Sequence, residues 1–299
     1  MKKLNHKFVT LFVMLFTLIN SLQLFAQKNA VELSVYGGGG LSFFCYQSTM
    51  SKTTSLGYNW DIGVGFTTFM SEQWGFHLGV GMGQFNVTNR VKDLNNPEPP
   101  RLIDIQGHQY DLYSTLSGYS ETQKTLLMEL PLMFQFQTRI KNAWNWKKSQ
   151  KQSFYAMAGA KLFLLFKRDY DVQVKTLFNK AYYPEAENWA ATQTFVGLGK
   201  FSGSDVAGNL GIGVIAAISV ETGIKWRLSE KLNLYTGVYF DCGLNDPTKK
   251  LRKEVGTYNS PESLESLSLL SFYKNAFLMG AGVKLRLALF IPKKITSCN

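Results

Sequence analysis

Trp74-Gly75-Phe76-His77-Leu78-Gly79-Val80-Gly81-Met82-Gly83 alternates without a break between a bulky apolar side chain and a glycine or histidine. Successive side chains of a β-strand point to opposite faces. The stretch therefore has one face of Trp, Phe, Leu, Val and Met and another of Gly and His. A helix would scatter both sets around its circumference, so period two decides for strand.

The same zigzag recurs on both sides of this segment. It predicts eight strands, at about 31–44, 57–69, 74–88, 122–138, 153–166, 208–226, 231–241 and 274–290. The gaps between them are then 12, 4, 33, 14, 41, 4 and 32 residues, alternating shorter with longer. Short turns on one side and long loops on the other are expected of an antiparallel up-and-down transmembrane β-barrel. A soluble sandwich or lipocalin-like barrel would give the same columns with the apolar face buried. Three features favour the membrane. The apolar columns are long and bulky, and the opposite columns are rich in Gly. Aromatics (Phe69, Trp74, Trp226 and Phe290 near short turns; Tyr58, Trp60 and Phe240 near long loops) fit interfacial girdles.

By the same parity Glu32, Asp61, Glu129, Glu221 and Asp241 face inward, with Lys161, Lys225, Lys284 and Arg286 against them. An eight-stranded barrel is just wide enough to be filled by side chains. These residues therefore read as structural lumen ion pairs, not as an ion pathway. Counting from the connecting turn pairs Glu129 with Lys161 on adjacent strands. Barrel closure is expected to bring Glu32 to Lys284 and Arg286.

The formal charge is +11, and Lys2, Lys3 and Lys7 belong to an apparent export signal without acids, leaving +11 − 3 = +8. The remaining bases are scattered over loops and turns, so a solvated surface is expected and no nucleic-acid partner. Residues 1–27 read as a cleaved signal peptide, with the apolar run Phe8–Ile19 and Leu24-Phe25-Ala26 ahead of Gln27. Asn20, Ser21 and Gln23 interrupt the run and argue against a retained membrane helix. Residues 28–290 form the barrel domain and 291–299 a short periplasmic tail.

Met70-Ser71-Glu72-Gln73-Trp74 and Leu228-Ser229-Glu230-Lys231-Leu232 share one hairpin-turn pattern. The turn 139–152 interleaves Arg139, Lys141, Lys147, Lys148 and Lys151 with Trp144 and Trp146, as at a solvated membrane interface. Of the long loops, residues 102–119 read either as a strand extension or as an extra hairpin. The longest, 167–207, carries Tyr182, Tyr183 and Trp189, candidates for contact with a ligand or for a lid over the barrel mouth. Ser260-Pro261-Glu262 reads as the start of a short helix.

No catalytic motif appears. His77 is opposite Thr67 and far from Asp61, and His108 stands loosely between Asp104 and Asp111. Cys45, Cys242 and Cys298 have neither disulfide-framework nor metal spacing. No metal, cofactor or catalytic residue is expected.

Gly57-Tyr58-Asn59-Trp60-Asp61-Ile62-Gly63-Val64-Gly65-Phe66 resembles the early hairpin of the small outer-membrane β-barrel proteins of Bacteroidetes. Met128-Glu129-Leu130-Pro131-Leu132-Met133-Phe134-Gln135-Phe136 resembles their characteristic aliphatic-Glu/Gln-aliphatic-Pro-aliphatic strand. Leu210–Gly213 through Trp226–Ser229, and Ala281–Leu285, resemble the closing strands. The resemblance implies insertion into the outer membrane by the barrel-assembly machinery and contact with outer-membrane lipid. It does not imply one activity. The leading expectation is a non-enzymatic barrel whose loops engage an external ligand or envelope partner. A pore or transport protein, and an envelope assembly factor of the kind found in type IX secretion, are the alternatives; a lipid-modifying enzyme lacks its His-acid-hydroxyl set.

Overall fold

A computed structural model describes residues 30–46, 54–95, 99, 101–139, 151–193, 197–202, 205–211, 213–246, 258–260, 263–264 and 276–291. The expected signal peptide, most of the tail and the Trp144/Trp146 turn lie outside these residues. Eight long strands make up the barrel. They are β1 (Ala30–Tyr46), β2 (Thr54–Phe69), β3 (Trp74–Asn95), β4 (Gln109–Gln137), β5 (Gln152–Gln173), β6 (Gly213–Arg227), β7 (Leu232–Gly243) and β8 (Ala276–Ile291).

Each strand is antiparallel to its sequence neighbours, and β8 also pairs with β1 from Val31 with Ile291 to Tyr46 with Ala276. The sheet is therefore closed, which removes the edges that a bilayer would leave unpaired. Ile291 still belongs to the ladder, one residue past the expected end of the barrel domain.

The outside is apolar. Leu234, Leu287, Val35, Val64 and Val80 follow one another in register across β7, β8, β1, β2 and β3. Val64 is 54% and Val283 62% exposed, while the inward Glu32 is 1% exposed. A protein that exposes valine and buries glutamate in this way is solvated by lipid, which makes this a transmembrane barrel. Trp74 packs on Phe136 and Phe76 on Phe134 at the short-turn end of this surface. Phe69 and Phe290 are not part of that girdle. Phe69 is buried, and Phe290 stands opposite Glu32 on the lumen column.

The two matching turn sequences form matching turns. Ser71 Oγ accepts from the amides of Gln73 and Trp74, and Ser229 Oγ from those of Lys231 and Leu232. Met70 and Leu228 close the turns by donating to the Trp74 and Leu232 carbonyls.

At the long-loop end β3, β4 and β5 run well past the apolar band. Phe166 is an extra residue in β5, where the partner of Leu126 is Lys167 but that of Leu127 is Leu165. This bulge reverses the alternation, so Arg168 and Val172 are buried instead of their odd-numbered neighbours. Sequence periodicity ends at this point, which is why the expected strand stopped at 166. Thr176–Tyr183 continues alongside β4, and Asn188–Ala190, Gly199–Ser202 and Asp205–Asn209 return. The expected strand 208–226 is two strands, separated at Gly211, whose φ of +75° ends the ladder. Residues 102–119 satisfy both readings: β4 is extended, and Arg101–Ile103 pairs with it as a hairpin. The helix expected at Ser260 is corrected, because Tyr258–Ser260 pairs with Ser263–Leu264 as a two-stranded ladder. Leu267 and Leu270 lie outside the described residues.

Two outcomes test this fold. Unheated protein in dodecyl sulfate should run ahead of the boiled form, as a closed barrel resists the detergent; identical mobility would weigh against closure. Val64→Lys should cost roughly 2–4 kcal/mol in a bilayer unfolding titration, whereas a loss near zero would place Val64 in water.

Candidate functional site

The lumen was the first candidate, and it is filled. All nine charged residues read as inward point into it, and they are arranged in tiers. At the short-turn end Lys225 Nζ lies 2.8 Å from Glu32 Oε1 and 3.0 Å from Gln137 Oε1. Asn233 and Tyr235 also donate to Glu32, at 2.8 and 2.5 Å. Above them Arg286 donates to Gln135 Oε1 at 3.0 Å and lies over the Tyr235 ring at 4.0 Å. His77 Nδ1 is 2.9 Å from Thr67 Oγ1. Next come Lys284 with Asp61 at 3.0 Å, Tyr155 donating to Glu221 at 2.9 Å, and Lys161 with Asp241 at 2.9 Å.

These contacts correct the expected pairs. Glu129 does not meet Lys161; their register partners are Phe163 and Pro131, and Glu129 is 3.8 Å from Lys284 instead. Glu32 does not meet Lys284 or Arg286. It lies opposite Phe290, four positions along β8 from Arg286, and is held by Lys225 from the far wall. The expectation placed partners on adjacent strands, but inward side chains converge on the axis and reach across it.

Glycines make this possible. A side chain at Gly63 or Gly81 would strike Tyr36, one at Gly65 would strike His77, and one at Gly237 would strike Tyr155. Rings and glycines thus share each level of the bore. Above the charged tiers Phe85, Leu127, Phe163, Leu165, Ile215 and Leu278 form an apolar layer, with Phe85 and Phe163 edge to face at 5.8 Å. Voids at the ionic and apolar levels are about 10 Å³ each, the size of one water. Among the described residues no group of three or more His, Cys, Asp or Glu could hold a metal ion.

The second candidate lies on the extension. Val91, Leu116, Tyr119, Val172, Val174 and Leu177 form a small core there, so the extension is a packed sheet. Gly118, at φ +66°, faces Lys175, and there the paired strands turn over. Below them Tyr119 and Val174 are buried; above them Leu116 and Leu177 are. The other face of the upper part carries one transverse row in register: Arg101, Asp111, Tyr182 and Trp189. Tyr113 and Lys180 pair in the adjacent row.

Tyr182 and Trp189 centroids are 4.8 Å apart, and Tyr113 and Trp189 5.1 Å. Lys180 Nζ sits 4.2 Å from the Trp189 ring centroid. Arg101 holds Asp111 through two bonds of 2.8 and 3.2 Å. That hydrogen bond lowers the Asp111 carboxyl below its ordinary range. Of the three residues expected to make loop contacts, Tyr182 and Trp189 come together. Tyr183 turns to the opposite face, 5.4 Å from Tyr110. Arg101, Asp111, Tyr113 and Lys180 were missed. Period two in Phe178, Lys180 and Tyr182 was legible, but the register joining them to residues 101–113 was not.

No protein-family model matches the chain, and no curated protein matches its sequence. Among solved structures it is similar to Ail, the attachment invasion locus protein of Yersinia pestis, at 7% identity over 88% of this chain and 99% of that one (TM-score 0.27). It is also similar to Neisserial surface protein A, at 9% identity over 85% and 95% (TM-score 0.30). OprG from Pseudomonas aeruginosa shows 12% identity over 89% and 98% (TM-score 0.29).

The lumen pairs lend themselves to a double-mutant cycle. Lys225→Met alone should destabilise by about 3–5 kcal/mol in denaturant titrations, since it strands a buried carboxylate. Adding Glu32→Gln should restore most of that loss; strictly additive losses would show that the two side chains are not coupled.

Proposed function

We propose that this protein is a non-enzymatic outer-membrane β-barrel that presents an external binding surface on a sealed support. The observation that carries the reading is the contrast between its two halves. The bore is closed by ion pairs and an apolar layer, and the packed extension above it carries a row that brings Tyr113, Tyr182 and Trp189 together on one face beyond the apolar band. An even strand count puts both termini on the short-turn side, the periplasmic side of bacterial barrels, so the extension faces outward. The signal-like N-terminus supports export, and insertion by the barrel-assembly machinery goes with it.

A conducting pore requires a continuous wet path. The tier containing Phe85 and Phe163 opposes one, because an apolar constriction of this kind dewets. His77 is buried between Thr67 and Arg286, with no room for a substrate beside it. The partner of the barrel is therefore sought at its external surface.

Reconstituted into planar bilayers, the protein should show no unitary conductance steps. Regular steps would replace this reading with that of a channel. An epitope inserted at Gly107, in the exposed turn beside Ile105 (96% exposed), should be detected on intact cells. Detection only after the outer membrane is opened would reverse the topology.

A further inference from the structure

We propose that the row Arg101–Asp111–Tyr182–Trp189 is a binding site for a neutral oligosaccharide, with Trp189 as its stacking platform. The inference rests on the external-surface reading above and gives it a ligand class. A pyranose presents two kinds of surface. One ring face is lined by C–H groups and stacks on an aromatic plane. The rim carries hydroxyls that pair with groups able to accept and donate together. The row supplies both in one line. Trp189 and Tyr182 give the aromatic half, and the Asp111 carboxylate with the Arg101 guanidinium gives the polar half.

The dimensions fit. Four strands at a spacing of about 4.8 Å make a row about 14 Å long, room for two or three sugar units. Trp189 is 48% exposed, although Tyr113, Tyr182 and Lys180 all contact it. Lys180 lies over one face of the indole, and about half of the side chain stays open to a ligand. The small core around Leu116 and Leu177 keeps the sheet beneath it rigid, so little order remains to be gained on binding.

Charge and ring geometry select among ligand classes. Arg101 and Asp111 neutralise each other, and Lys180 is engaged with two rings, at 4.2 Å from Trp189 and 5.8 Å from Tyr113. Such a row does not offer the cluster of cations that a phosphorylated or sulfated ligand needs. A proline-rich peptide docks in aromatic-lined grooves. Here the Tyr113, Tyr182 and Trp189 centroids stand 4.8–5.1 Å apart and the rings tilt against each other. Rings packed on one another in this way are not the walls of a groove for such a peptide. A single sugar face needs only the half of Trp189 that stays exposed.

The test uses the full chain folded in an amine-oxide detergent, since glycoside detergents would compete. Its probes are tetrasaccharides of glucose, mannose, galactose and N-acetylglucosamine, a sulfated and a uronic-acid oligosaccharide, and a polyproline peptide. At least one neutral tetrasaccharide should bind and quench tryptophan fluorescence. Trp189→Ala and Asp111→Asn should each weaken it roughly tenfold or more. Trp74→Phe, on the lipid-facing surface, should leave affinity unchanged, and heat-shifted mobility should verify that each variant is folded. Binding confined to the acidic sugars or the peptide, neutral binding insensitive to Trp189→Ala, or no binding at all would overturn the proposal. The Gly107 epitope separates the two levels. Failure of every probe with the epitope displayed on intact cells refutes the sugar site alone. An epitope hidden on intact cells refutes the external-surface reading itself.

Discussion

Lipid offers no partner to a peptide N–H or C=O, and the pairing of β1 with β8 is how this chain meets that condition. The rest of the membrane-embedded part follows from it. Once the ladder closes, every strand has two neighbours and every side chain must point either to lipid or to the axis. Bulky apolar residues are accepted on the outside, where Val64 and Val283 are more than half exposed. The charged side chains of the spanning strands are driven inward, into a bore that eight strands make just wide enough for side chains to fill.

That crowding explains the chemistry of the lumen. A buried charge is tolerated only with a partner close by, and the partners come from across the bore. Glu32 of β1 meets Lys225 of β6, Arg286 of β8 meets Gln135 of β4, and Lys161 of β5 meets Asp241 of β7. None of these joins adjacent strands, so each one ties together walls that lie two to four strands apart. They also oppose slippage. A shift of one residue between strands would turn these charges toward lipid and the valines inward. Such pairs are a poor source of net stability but a strong constraint on register.

The outline of this arrangement was legible in the sequence because lipid enforces a strict period of two. Parity alone assigned all nine lumen charges to the correct face. It failed on partners, because face is a property of one strand and pairing depends on the width and twist of the whole barrel. Phe69 and Phe290 were misplaced for a different reason: both are aromatic and sit at strand ends, but they share the parity of the inward Asp61 and Arg286, which places them inside. Beyond Phe166 the legibility falls for a physical reason. Outside the membrane the outward face no longer has to be apolar, so β3, β4 and β5 continue with mixed residues that read as loop. Tyr182 and Trp189 were noticed for their ring content. Lys180 is two residues from Tyr182, but Arg101, Asp111 and Tyr113 are separated from both by tens of residues and are joined to them only by register.

The loss of that pattern is also what makes the external surface possible. Within the membrane the ladder fixes both faces, apolar outside and crowded inside, and leaves no side chain available for recognition. Two local irregularities release the strands from this rule. The extra residue at Phe166 reverses the alternation of β5 where the apolar band ends. Gly118, with its left-handed φ, lets β4 and its neighbour turn over opposite Lys175 without breaking register. Above that point Leu116 and Leu177 supply the core, and the opposite face is free to carry Tyr113, Lys180, Tyr182 and Trp189. A residue with a Cβ at Gly118 would be strained in that conformation and would press on Lys175, opposing the turnover. With regular alternation across 118 and 175, Leu112, Leu177 and Ala181 would face outward and the aromatic residues inward. The external surface therefore depends on a single glycine, placed where the membrane no longer dictates which way each side chain must point.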